Sequence, residues 1–146
     1  MITLESVYKD KPIALGVVEF LFELLMERPA KANISHVQPP SYEQHERFVR
    51  SRPYRDWFLI VNEESYFVGS VYLTNQNEIG IAVHTQFQHR GYAIQALHMA
   101  RKIPPLPGIP GRRSSSYVAH VAANNEESHA LFTKAGGRLL SMTYVL

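Results

Sequence analysis

The sequence predicts a mixed α/β fold (α+β by some schemes) with a central mixed sheet of about six strands, in the order β-α-α-β-β-β-α-β-α-β. Three observations carry this reading. Stretches with apolar residues at helical spacing are interleaved with alternating or continuous apolar runs. Short polar links at 62–65 and 74–77 join three successive strand-like runs, as in an antiparallel meander. A strand-like run at 78–83 is followed by a glycine-bearing turn and then a helical pattern.

The elements follow in order. Ile2–Val7 reads as a first strand. Lys11–Met26 carries Leu15, Val18, Leu21, Phe22 and Leu25 at helical spacing. Arg28–Pro40 contains Pro29, Pro39 and Pro40 and reads as a loop. Ser41–Ser51 is a short amphipathic helix with Ser41 as its cap. Asp56–Asn62 holds the continuous apolar run Trp57-Phe58-Leu59-Ile60-Val61, consistent with a buried strand. Tyr66–Leu73 returns, and Glu78–Val83 forms the central strand. Gly91–Arg101 is a helix, and the proline-rich segment 103–111 can be neither helix nor central strand. Ser116–Val121 is expected as a strand, Asn125–Ala135 as a helix and Arg138–Val145 as a last strand.

Composition limits the function. At 146 residues with 45% hydrophobic content, the chain is expected to form one domain, 1–146, with a substantial core. A net charge of +2 gives no argument for nucleic acid. The basic residues Arg101, Lys102, Arg112 and Arg113 read either as a solvated loop or as contacts for an anionic group. With no cysteine there is no disulfide, thiolate metal site or cysteine nucleophile. The seven histidines show no metal spacing, so no metal is expected. The longest apolar stretch, Ile13–Met26, is broken by Glu19 and Glu23 and is too short to span a bilayer. No basic, apolar leader is read at Met1–Glu5, so a cytoplasmic location is expected.

The most informative stretch is Gln88-His89-Arg90-Gly91-Tyr92-Ala93, between a strand and a helix start. N–H groups in the first turn of a helix lack intrahelical partners, and the helix dipole adds positive potential there. Gly91 lets the backbone approach a ligand closely. The chemistry implied is main-chain binding of a phosphate or diphosphate. It is neither a Walker-type loop, which needs Gly-Lys-Ser/Thr, nor a dinucleotide fingerprint, which needs three glycines. A second segment, Asn125–Gly136, is a well-marked helix. It has an Asn cap, Glu126 and Glu127 in the first turn, Lys134 near the end and Gly136-Gly137 as its stop. Ser128, Leu131, Phe132 and Ala135 share one face.

The spacing Gln88-x-x-Gly91-x-Ala93 resembles the acyl-CoA-binding signature of the GNAT superfamily of N-acyltransferases, [Q/R]-x-x-G-x-[G/A]. The run Asn125-x-x-Ser128-x-x-Leu131-Phe132-x-Lys134-x-Gly136 is similar to the second conserved block of those enzymes. The likeness covers roughly 57–146, whereas the first fifty-odd residues match in architecture only.

The resemblance implies acetyl-CoA as co-substrate. It implies backbone contacts to the pantetheine from the strand segment Ile81, Ala82 and Val83. The diphosphate would lie on Gln88, His89, Arg90, Gly91, Tyr92 and Ala93, and further cofactor contacts would come from Asn125, Ser128, Phe132 and Lys134. It also implies that Phe132 stands where many members carry a tyrosine that donates a proton to the departing thiolate. Phenylalanine has no proton to donate. A general acid contributes roughly 10²–10⁴-fold, and a thiol of pKa about 8.5 is a tolerable leaving group without one.

The acceptor amine must be neutral to attack. An amine of pKa about 10.4 is neutral in one molecule in roughly 2,500 at pH 7, one of pKa about 8 in about one in ten. Glu78 is the first candidate base, directly or through water, with His84 and His120 as alternatives. On the strand, Ile79, Ile81 and Val83 share one face; the small Gly80 and Ala82 are expected to leave room on the other. Tyr66, Tyr72 and Tyr117 read as half-buried strand residues. The proline-rich loop is either a rigid spacer or a border of the acceptor site.

The reading that follows is an N-acetyltransferase acting on a small amine, an amino sugar or a peptide amine by direct attack in a ternary complex. The alternative is a non-catalytic acyl-CoA sensor or partner-binding module. No membrane or nucleic-acid partner is expected, and the apolar Tyr144-Val145-Leu146 end leaves a homodimer open.

Overall fold

The computed structural model describes residues 1–28 and 38–146; most of the loop expected at 28–40 lies outside them. Four strands form one antiparallel sheet in sequential order: β1 (Thr3–Ser6), β2 (Asp56–Val61), β3 (Phe67–Leu73) and β4 (Ile79–Val83). The helices are α1 (Leu15–Glu27), α2 (Tyr42–Arg50), α3 (Tyr92–Ala100) and α4 (Glu126–Lys134), with a 3-10 turn at Thr85–Phe87.

Local chemistry sets the helix ends. α1 begins four residues later than expected, because Pro12 biases its predecessor away from helical angles. α2 starts with a complete capping box: Ser41 Oγ accepts from the Gln44 N–H, and Gln44 Oε1 accepts from the Ser41 N–H. α3 starts at Gly91, whose φ of 79° is the left-handed conformation that glycine adopts without strain. In α4, Asn125 Oδ1 accepts from the Ser128 N–H.

The sheet has a core on each face. Trp57, Leu59 and Val61 of β2 pack with Val18, Leu21 and Leu24 of α1 and Val49 of α2. On the other face, Ile60, Val71, Leu73 and Ile79 pack with Tyr92, Ala96, Leu97 and Ala100 of α3, while Leu131, Phe132 and Ala135 of α4 close the edge of that core. Burial of each such aliphatic side chain contributes about 1.5–3 kcal/mol. The faces of β2 and β4 follow the period-two alternation read in the sequence.

Two expected strands do not form. The segment 116–121 makes a single parallel bridge, Glu78 with Val118, and leaves β4 beyond it. It is fixed instead by side chains: the Tyr117 hydroxyl donates to the Ile103 carbonyl at 2.8 Å, and the Asn77 amide holds Ser114. The segment 138–145 pairs with nothing among the described residues, and Leu139, Leu140, Met142 and Tyr144 are exposed. An alternating apolar pattern gives a strand only where a neighbouring edge accepts it. Among the described residues the sheet therefore has four strands rather than six, and β4 is an edge strand rather than a central one.

Candidate active site

The outer edge of β4 sets the site's geometry. In an antiparallel strand, backbone groups point alternately toward and away from the neighbour. The Ile79 N–H donates outward to the Val118 carbonyl at 2.8 Å, and the Glu78 carbonyl accepts inward from the Thr74 N–H at 2.9 Å. By the same alternation Gly80 and Ala82 point inward to β3, while Ile81 and Val83 point outward. Beyond the Val118 bridge, no described residue accepts from the N–H groups of Ile81 and Val83. The Val83 carbonyl is engaged by the Gln88 side-chain amide at 3.1 Å.

Gln88 thus ties the following loop back onto the strand end. His89 (φ 64°) and Gly91 (φ 79°) both have positive φ, so the chain curls between them. The N–H groups of His89, Arg90, Gly91, Tyr92 and Ala93 find no acceptor among the described residues. A row of unpaired donors at a helix start is chemically an anion cradle. A Cβ on Gly91 would meet only Gln95 Nε2, at 3.8 Å, so the space above it is open. The Arg90 guanidinium lies over the Phe87 ring, 5.5 Å from its centre.

At the other end of β4, Glu78 is held through both carboxylate oxygens. Oε1 accepts from the Thr74 hydroxyl at 3.0 Å, and Oε2 lies 2.9 Å from His120 Nε2. Two of the three candidate bases are therefore in direct contact as a carboxylate–imidazole pair. His84 is separate, six residues away and roughly 20 Å along an extended strand. Its Nε2 meets Glu23 and its Nδ1 accepts from the Gln86 N–H.

Beneath Glu78 lies a residue whose role the sequence hid. Asn77 is fully buried, with φ 59°. Its Nδ2 donates to the carbonyls of Leu106 and Ser114, and its Oδ1 accepts from the Leu106 N–H. Its own carbonyl accepts from the Val118 N–H. One side chain thus fastens the proline-rich loop and the 114–118 segment beside Glu78, and so brings His120 into reach. The only sequence signal was an Asn in a turn, a residue type that tolerates positive φ.

The remaining candidates are placed as follows. Phe132 and Ser128 are half-buried on the inner face of α4, and Phe132 packs against the α3-side core. Lys134 is exposed. Asn125 uses its side-chain oxygen on the helix cap. Arg101 donates to the Ala135 carbonyl that ends α4, and Arg113 donates to the Pro107 and Asn75 carbonyls, so both are structural fasteners. The room expected beside Gly80 is filled by the Tyr72 ring. Among the described residues, no group of three or more His, Asp or Glu side chains is arranged to hold a metal ion, and no helix is long and apolar enough to cross a membrane.

An anion cradle at a strand–helix turn, an open strand edge leading to it and a carboxylate–imidazole pair at the far end are thus set along β4 and the loop that follows it. Over residues 15–138 the chain matches the acetyltransferase (GNAT) domain, and it belongs to that family of acyltransferases. No protein of curated function matches it in sequence. Its fold is that of spermidine N-acetyltransferase from Vibrio cholerae in complex with CoA and spermine, with a TM-score of 0.71 and 18% identity over 99% of this chain and 88% of that one. A dodecameric form of that enzyme, in an intermediate state, gives a TM-score of 0.64 at 18% identity over 99% and 85%. A glutamate-to-glutamine mutant form gives 0.66 at 19% over 92% and 78%.

Proposed function

We propose that residues 1–146 act as one domain that transfers an acetyl group from acetyl-CoA to a primary amine by direct attack in a ternary complex. The observation that carries the reading is the line of unpaired donors from Ile81 and Val83 to His89–Ala93. Its spacing fits a pantetheine along a strand edge with its diphosphate at a helix start. The α3 dipole adds to the attraction for the diphosphate.

In this reading the Ile81 and Val83 backbones hold the pantetheine amides and lead the thioester toward the Glu78 end of the strand. Ala82 contributes only by its small side chain, since its backbone pairs inward with Ser70. Asn125, Ser128, Phe132 and Lys134 flank the cofactor from α4. Glu78 takes the proton of the attacking amine, directly or through water, and His120 steadies the carboxylate. The nitrogen forms a bond to the carbonyl carbon, the C–S bond breaks, and water protonates the departing thiolate because Phe132 cannot. Approximation of amine and thioester is the principal catalytic term.

Amines of lower pKa suit a site without a strong base. The likeness to polyamine acetyltransferases adds spermidine and spermine to the acceptors worth testing. Release of free thiol from acetyl-CoA with a panel of amines tests the proposal: turnover is expected with at least one primary amine. A non-catalytic acyl-CoA sensor is the second reading, favoured by Phe132, and coenzyme A binding without turnover on any amine would select it. A cytoplasmic location belongs to the proposal. Exposed Leu139, Leu140 and Met142 support self-association, which sedimentation velocity would report.

A further inference from the structure

The turn between β4 and the cofactor loop is tied to α1 by a compact polar cluster that the transfer reaction does not use. His84 is nearly buried, and its ring stacks on Phe20 at 6.3 Å. Its Nδ1 accepts from the Gln86 N–H at 3.2 Å, which leaves Nε2 as the protonated nitrogen. Nε2 then donates to Glu23 at 2.9 Å and lies 3.2 Å from Glu27. Glu27 also accepts from the Thr85 N–H at 3.1 Å and from its hydroxyl at 2.7 Å. One imidazole therefore caps the 3-10 turn with one nitrogen and grips the last turns of α1 with the other. The turn it caps ends one residue before Gln88, where the donor loop begins.

We propose that His84, clamped by Glu23 and Glu27, is a positioning residue that holds the 88–93 loop in its coenzyme-binding shape. The inference rests on the reading of that loop as the diphosphate site. The acidic pair alone would be a solvated helix end; it is the two-sided use of the ring that couples α1 to the loop. Without the cap the Gln86 N–H loses its acceptor, and the curl through His89 and Gly91 loses its fixed start. Coenzyme binding then weakens, while the chemical step at the Glu78 end of β4 is untouched once the site is saturated.

Calorimetry with coenzyme A and kinetics at saturating amine test this. His84→Leu removes both contacts, and its coenzyme A affinity is expected to fall about fivefold, the usual worth of a lost cap. KM for acetyl-CoA should rise in step, with kcat kept. His84→Asn restores an acceptor two residues before the Gln86 N–H and should recover most of the affinity, a rescue that a general packing role would not give. Thr85→Val, at an exposed site, should weaken binding about twofold to threefold and carries the test if His84→Leu does not fold. Unchanged affinity in His84→Leu and Thr85→Val, no rescue by Asn, or a fall in kcat alone would overturn the inference. No heat from the wild-type protein would overturn the coenzyme reading and this inference with it. Equal heat from wild type and His84→Leu would overturn this inference alone.

Discussion

The phenol ring of Tyr72 packs against the backbone of Gly80, so that a Cβ added at Gly80 would stand 2.2 Å from Tyr72 Cζ. The two are direct partners across β3 and β4. Tyr72 has little freedom to withdraw, because the Tyr54 ring stacks on it at 3.9 Å, nearly parallel. Burial, then the neighbouring Tyr72, pushes the Tyr54 hydroxyl far above its ordinary range, so Tyr54 stays neutral there. Gly80→Ala should therefore cost about 1–3 kcal/mol of stability through overpacking, read as a lower urea midpoint. A midpoint equal to that of the wild type would mean that the ring yields freely.

Gly91→Asp tests the cofactor cradle. The substitution places a carboxylate at the donor row and a Cβ at a φ of 79°. At least a tenfold loss of coenzyme A affinity is expected, about 1.4 kcal/mol, with far-UV circular dichroism unchanged. Calorimetry measures it directly.

Glu78→Gln retains an acceptor for the Thr74 hydroxyl and removes the proposed base. A fall in kcat/KM of about 10²-fold or more is expected, in the range of general-base loss. The deficit should grow with the pKa of the acceptor, because a less basic amine needs less help. Equal losses across an amine series would assign Glu78 to substrate binding.

Asn77→Ala strips the partners from the Leu106 N–H and from two carbonyls, and puts Ala at positive φ. Destabilisation of about 2–4 kcal/mol is expected from chemical denaturation. Activity should fall further than stability at permissive temperature, since His120 loses its anchor.

His45 on α2 predicts an acid limb of stability. It is buried against Phe22, and its Nε2 has no partner among the described residues. Burial lowers its pKa below the ordinary value. The unfolded chain then binds the proton more readily, so this stability is fully present above about pH 6.5 and is lost as pH falls through the lower folded value. His45→Phe should flatten that limb in urea midpoints measured across pH, and an unchanged slope would remove His45 as its cause.

The features legible in the sequence are those decided within a few residues. The capping box of Ser41 and Gln44, the glycine start of α3 at Gly91 and the Asn125 cap of α4 all involve partners at most four positions apart. The alternation of Ile79, Ile81 and Val83 was legible for the same reason, since strand geometry turns successive side chains to opposite faces. The strand expectations at 116–121 and 138–145 failed because a strand needs a neighbour, and a local pattern does not say whether one is offered.

By itself the sequence determined that a donor-rich turn opens α3, that an apolar face of α4 carries Phe132, and that Glu78 stands at the start of the strand leading to that turn. Tertiary structure alone decided that β4 is an edge with Ile81 and Val83 facing outward, that Glu78 meets His120 rather than His84, and that Asn77 fastens two distant loops beside them. The reason is physical. Caps and alternation are set by bond geometry between near neighbours. A hydrogen bond between residues 29 or 37 positions apart, such as those of Asn77, exists only once the intervening chain has folded back.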